Sequence, residues 1–129
     1  MPYIDVLVSE DPSPELAQRL AAGITERTVR VLGRVFEHTA VSVRFVPRAH
    51  WFVGGQSLAA RGKTSFWLDV KVTTGTTTED QKARYLAEIT ELMRSELGEL
   101  HEVSYLRVDE VAGEAWGFNG ISQAERRRR

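Results

Sequence analysis

Residues 2–9 read Pro-Tyr-Ile-Asp-Val-Leu-Val-Ser, and residues 66–73 read Phe-Trp-Leu-Asp-Val-Lys-Val-Thr. Both alternate. Ile4, Val6 and Val8 share one face of the first stretch, as Leu68, Val70 and Val72 do in the second. A period of two is the pattern of a strand with one buried face. At an offset of 64, Ile4 meets Leu68, Asp5 meets Asp69, Val6 meets Val70 and Val8 meets Val72. Two strands this similar at a fixed distance point to an internal repeat of about half the chain.

The flanking sequence repeats too. Ser13 suits an N-cap, and Pro14 suits the first helical position, where a missing N–H costs nothing. Leu16, Leu20, Ile24 and Val31 then fall near one helix face, and Gly33 is a C-terminal stop. In the second copy Thr78-Glu79-Asp80-Gln81 reads as a capping box. Leu86, Ile89, Met93 and Leu97 are expected to line one face, with Gly98 at the end. Closing strands follow, Val41 and Val43 matching Leu106 and Val108. Trp51-Phe52-Val53-Gly54-Gly55 then matches Trp116-Gly117-Phe118-Asn119-Gly120 as an aromatic–glycine turn. The reading is a single domain of two β-α-β units, about 2–55 and 65–123. A linker at about 56–64 has no clear strand pattern, and a basic tail at 124–129 reads as solvated and disordered.

Strands joined through a helix are parallel. Two such units give an α+β fold: a four-stranded sheet with two helices on one face. The other face, with Leu7 and Trp67 on it, lacks a covering layer, and self-association supplies one. The alternative is a compact monomer with an unusually polar outer face. The chain has 129 residues, 42% hydrophobic and 27% charged, with 17 basic and 18 acidic side chains and a net charge of −1. That balance calls for neither nucleic acid nor a membrane surface. The absence of Cys excludes disulfides, thiolate metal sites and Cys nucleophiles. The first ten residues lack a basic signal region, so a cytoplasmic protein is expected. No metal-ligand spacing, dinucleotide motif or nucleophile elbow occurs, and neither metal nor cofactor is expected. Arg126-Arg127-Arg128-Arg129 is too short a run for a nucleic-acid footprint.

A Pro directly after the initiator Met, a tandem β-α-β duplication and an aromatic–glycine hairpin closing each unit resemble the tautomerase superfamily. That group includes 4-oxalocrotonate tautomerase, malonate semialdehyde decarboxylase and cis-3-chloroacrylic acid dehalogenase. The resemblance runs from Pro2 to about Gln123 and is closest to fused, two-unit members. Thr77–Lys82 and Trp116–Gly120 look most like the decarboxylase branch. It implies a homotrimer and a small-molecule substrate. The implied reaction is keto–enol tautomerisation of a small carbonyl compound or 2-oxo acid. A Pro2-dependent hydratase, decarboxylase or dehalogenase is the alternative within the class, and a non-catalytic trimeric binding protein the alternative outside it.

The resemblance makes Pro2 the catalytic group once Met1 is removed. A terminal amine has a reference pKa of about 8, and an apolar wall or a nearby cation lowers it. Neutral near pH 7, it can take a proton beside a carbonyl and return it elsewhere. Otherwise Pro2 is an ordinary strand-edge residue. Arg44 matches the family's strand arginine and can hold a carboxylate with two parallel hydrogen bonds; a surface or inter-subunit ion pair is its other reading. Arg107 shares that face in the repeat frame. Trp116 matches the family's pocket aromatic, and Phe118 follows on the same side; Trp51 is the repeat mate, expected in ordinary packing. Glu37 or His38 lies near where the decarboxylase branch carries a water-activating carboxylate. Two departures stand out. Glu10-Asp11-Pro12 replaces a Glu-Gly-Arg pattern, and Thr74-Gly75-Thr76-Thr77-Thr78 replaces a stretch with two arginines. Most of the family's carboxylate clamp is missing, which argues against a dicarboxylate substrate.

Overall fold

The computed structural model describes residues 2–129. The expected removal of Met1 lies outside the described residues. The first unit runs β1 (Tyr3–Val8), α1 (Pro14–Leu32), β2 (Ala40–Phe45) and a hairpin of β3 (Phe52–Val53) and β4 (Gln56–Ser57), closed by α2 (Leu58–Arg61). The second repeats it as β5 (Phe66–Thr73), α3 (Glu79–Leu97), β6 (Tyr105–Val111), β7 (Gly117–Phe118), β8 (Ile121–Ser122) and α4 (Gln123–Arg127).

Local chemistry sets the long helices. The Ser13 hydroxyl accepts the Leu16 N–H, Pro14 occupies the first turn, and Gly33 closes α1 with φ at 66°. Thr78 and Gln81 form the reciprocal capping box of α3. Each hairpin turns through two residues at positive φ, Gly54-Gly55 and Asn119-Gly120. Paired positive φ matches the twist of two short antiparallel strands, and only Gly and Asn enter it cheaply.

The strand order is β2-β1-β5-β6. Pairing is parallel inside each unit and antiparallel between β1 and β5, where Asp5 faces Asp69 and Tyr3 faces Lys71. An approximate two-fold therefore relates the units. Ile4, Val6, Val8, Leu68, Val70 and Val72 are fully buried under the two helices. Their loss from water is the main stabilising term, roughly 1.5–3 kcal/mol for each large side chain. The opposite sheet face carries Tyr3, Leu7, Trp67 and Tyr105 and is not covered by helices; Tyr105 is 68% exposed. No helix among the described residues is long and apolar enough to cross a membrane.

Three expectations are corrected. Leu86 is 37% exposed, and Tyr85 and Leu92 fill its place in the α3 core face. The buried stripe of α3 is centred beside the predicted one, because packing against α1 selects it. The 56–64 stretch is not featureless: β4 completes the first hairpin, and Ser57 caps α2. The basic end is not a loose tail. Ser122 caps α4, and Arg126 anchors it to the hairpin by donating to the Phe118 carbonyl at 2.8 Å. Arg61 does the same for the first hairpin, donating to the Val53 carbonyl at 3.0 Å.

Tyr85 is fully buried between the helices, its hydroxyl 2.8 Å from that of Thr28. Burial pushes the phenol from 10.0 up to about 12, against the opposing pull of the Thr28 hydrogen bond. The unfolded chain releases this proton near pH 10, before the folded one does. Stability is therefore intact below about pH 10 and falls as pH rises towards 12, by on the order of 2–3 kcal/mol. Urea unfolding at about pH 8 and about pH 11 is expected to show a smaller drop in Tyr85→Phe than in the wild type. Equal drops would remove Tyr85 as the cause.

Candidate active site

Where the second hairpin leans over the start of β1, the surface closes into a cavity of about 380 Å3. Pro2 and Tyr3 enter it at the start of β1, His38 from the turn before β2, Ala40 from the first position of β2, and Lys71 from β5. Trp116, Gly117 and Phe118 form the hairpin wall, and Gln123 of α4 adds to it. Pro2 is buried, and its carbonyl accepts the Ala40 N–H at 3.2 Å, which fixes the chain start beside β2.

Each wall is braced. Trp116 donates its indole N–H to the Thr73 hydroxyl at 3.0 Å, tying the hairpin to the end of β5. The Phe118 ring sits between His38, with ring centres 5.1 Å apart, and the Arg126 guanidinium at 3.7 Å. The Arg126 stack is a cation–π contact on top of its bond to the Phe118 carbonyl. Tyr3 shares a 2.8 Å hydrogen bond with the Ser42 hydroxyl.

Of the residues singled out from the sequence, Pro2, Trp116 and Phe118 are brought together. Arg44 and Arg107 do not line this cavity. Arg44 forms a two-pronged ion pair with Asp5, at 3.2 and 2.6 Å, on the uncovered sheet face. Arg107 holds Asp69 at 2.9 Å on the same face. His38 reaches the cavity and Glu37 does not. The threonine stretch is occupied by internal bonds: Thr76 donates to the Thr73 carbonyl, Thr77 accepts from Arg34, and Thr78 caps α3.

Lys71 was not singled out by sequence reasoning. Its repeat mate is the apolar Leu7, which hides it. The visible signal was a cation on the alternating outer face of Trp67, Asp69 and Lys71. Its ammonium bonds Asp69 at 2.5 Å and Asp109 at 3.3 Å. The Asp69 hydrogen bond, opposed by burial and helped by Asp109, raises Lys71 above its ordinary value. Burial pushes the Asp69 carboxyl up, but the bonds from Arg107 and Lys71 outweigh it and hold the group below the usual carboxylate value.

The repeat builds a second cavity of about 310 Å3 at the other hairpin. Trp51, Phe52, Trp67 and Tyr105 line it, and Phe66 stands where the first has Pro2. An internal residue cannot offer a free amine, and no ionisable group other than the Tyr105 phenol lines this mate. A wider, more open depression of about 570 Å3, which includes Thr74, Glu114 and Arg127, shares no lining residue with the Pro2 cavity.

The family model described as "Tautomerase enzyme" matches the chain twice, over residues 2–61 and 67–126. "Probable tautomerase K2" of Dickeya dadantii (strain 3937) is 31% identical over 61 residues, which is 47% of this chain and 91% of that protein. Among solved structures, a wild-type fused 4-OT symmetric trimer superposes with a TM-score of 0.83 at 16% identity, covering 96% of this chain and 98% of the other. Pt0534 inactivated by 2-oxo-3-pentynoate gives 0.81 at 20% identity, covering 95% and 96%. The macrophage migration inhibitory factor-like protein of Entamoeba histolytica gives 0.78 at 19%, covering 94% and 97%. These structural likenesses establish the fold.

Proposed function

The chain belongs to the tautomerase enzyme family, and from that premise we propose that it is a Pro2-dependent keto–enol tautomerase of a small 2-oxo acid or related carbonyl compound. The observation that carries the reading is the cavity itself, in which Pro2 meets Trp116 and Phe118. With Met1 removed, the Pro2 nitrogen is a secondary amine beside an aromatic wall. Such a wall disfavours the charged form and supports a neutral base. The amine takes the proton of the enol hydroxyl and returns it to the neighbouring carbon, giving the ketone; the reverse passage gives the enol. A second reading is favoured by His38, which lies in the cavity against Phe118. A histidine there can activate water, as a Pro2-dependent hydratase would need, or hand a proton to the carbon that loses CO2 in a Pro2-dependent decarboxylase.

The two units work as one domain, and three copies associate through the uncovered sheet faces. The apolar side chains on that face and the trimeric fused relative support this.

The test is intact mass followed by ketonisation of phenylenolpyruvate on the same sample. A mass lacking Met1, with turnover, is expected. A processed chain inert toward enols and small 2-oxo acids would overturn the tautomerase reading.

A further inference from the structure

The cavity that holds Pro2 needs a partner for any anionic substrate, and its wall offers very little choice. Among its lining residues, only Lys71 carries a permanent charge. Tyr3, His38 and Gln123 are neutral or titratable, and the rest are apolar. Of the guanidinium groups, Arg44 and Arg107 are engaged with Asp5 and Asp69, Arg126 stacks on the Phe118 ring and donates to its carbonyl, and none of the three lines the cavity.

We infer that Lys71 is the specificity residue of this site, anchoring the single carboxylate of the substrate beside Pro2. The inference rests on the Pro2 reading and deepens it. Antiparallel pairing of β1 with β5 puts Lys71 directly opposite Tyr3, the residue after Pro2. That register brings the cation to the cavity although it stands 69 positions after Pro2 in sequence. An ammonium has three donors. Asp69 and Asp109 take two, which holds the group charged and leaves one donor for a ligand. The contact is not a copy of an arginine fork. Lysine is a point charge and reads one carboxylate oxygen. The site therefore favours monoanions with an apolar remainder against Trp116 and Phe118, since Lys71 is the one basic side chain of permanent charge among its lining residues.

The same arrangement explains why the mate cavity cannot do this. Leu7 stands at the repeat position of Lys71, and Phe66 at that of Pro2. The duplication kept the aromatic walls on both sides, but the amine and the cation occur together on one side only.

The test compares two electrophiles of nearly the same shape, 2-oxo-3-pentynoate and its methyl ester, as labels of Pro2 followed by mass spectrometry. In each, the amine lone pair bonds the alkyne carbon β to the ketone. One π pair of the alkyne moves toward the ketone, the α carbon gains a proton, and the nitrogen gives up its own. The adduct weighs the sum of the two reactants. Both probes need the Pro2 nucleophile, and only the acid needs a cation. In the wild type the acid is expected to be favoured. In Lys71→Met the acid-to-ester rate ratio is expected to fall roughly ten- to hundred-fold, the range of one charge-assisted hydrogen bond. Lys71→Arg is expected to keep most of the ratio. A general loss of fold would erase the acid preference along with the cavity, so the ester rate is read beside the ratio. In Lys71→Met it is expected to stay at the wild-type value, which shows the Pro2 site intact, and Lys71→Arg carries the comparison should it fall. An unchanged ratio in Lys71→Met overturns the inference and assigns the anchor to another group, such as a guanidinium of a neighbouring copy. A wild-type chain processed to Pro2 that neither probe labels overturns the proline reading, and this inference with it.

Discussion

Replacing Pro2 by Ala is expected to lower kcat/KM for ketonisation by about 10^2- to 10^4-fold, the usual range for a positioned general base. Alanine leaves a terminal amine, but a primary one on a freely turning chain end. The proline ring blocks rotation about its N–Cα bond, and here it is buried, with its carbonyl held by the Ala40 N–H. Losing the ring loosens the angle at which the lone pair meets a bound enol, while the hydrogen bond to Ala40 remains available to hold the strand. Stability and assembly should therefore change little. A stricter version adds a residue ahead of Pro2 that is not cleaved. The nitrogen becomes an amide and is no longer a base, so turnover should fall to the background of the uncatalysed reaction. Wild-type kcat/KM in either variant, measured on material of verified mass, would remove Pro2 from the mechanism.

Gly117→Ala is expected to cost both stability and activity. A Cβ at Gly117 would sit 2.0 Å from the Ile121 carbonyl oxygen and 2.6 Å from the Ser122 Cα. Both are backbone atoms of the paired strand, so no side chain can turn aside to relieve the clash. The hairpin must open, and overpacking of this kind typically costs roughly 1–3 kcal/mol. The functional effect is expected to be of similar size in free energy. Trp116 and Phe118 flank this glycine, and the two pairings of β7 with β8 set the positions of both. A shift of an ångström in a positioning wall can cost roughly 10^2-fold in rate. Urea unfolding and turnover of the same preparation check both parts. An alanine variant with wild-type values in both would show that the hairpin yields without moving its aromatics. The repeat-equivalent residue is Phe52, which carries its side chain 59% exposed, so the two hairpins share a motif but not its packing.

The repeat was the most legible feature because it needs only local rules. Strand alternation, Ser13 and Thr78 as caps, Gly33 and Gly98 as stops and the two aromatic–glycine turns all act within a few residues of themselves. They placed β5 at 66–73 and the start of α1 at Pro14 without reference to the rest of the chain. Leu86 was misread because a helical wheel fixes a periodicity but not which neighbouring stripe meets another helix. The end of the chain was misread for a related reason. A run of arginines looks solvated until one of them finds a carbonyl and an aromatic ring, and Arg126 finds both at Phe118.

The sequence by itself determined two β-α-β units, because each is written in residues close together in the chain, and the resemblance those units carry pointed to the amine at Pro2 and the aromatic pair at Trp116 and Phe118. Only the tertiary structure decided which groups share the cavity. The antiparallel β1–β5 register put Lys71 next to Pro2, the sheet face carried Arg44 and Arg107 away to Asp5 and Asp69, and α4 folded back to brace Phe118. Those placements depend on how distant strands pair, and strand register is set by the packing of a whole face rather than by any one residue.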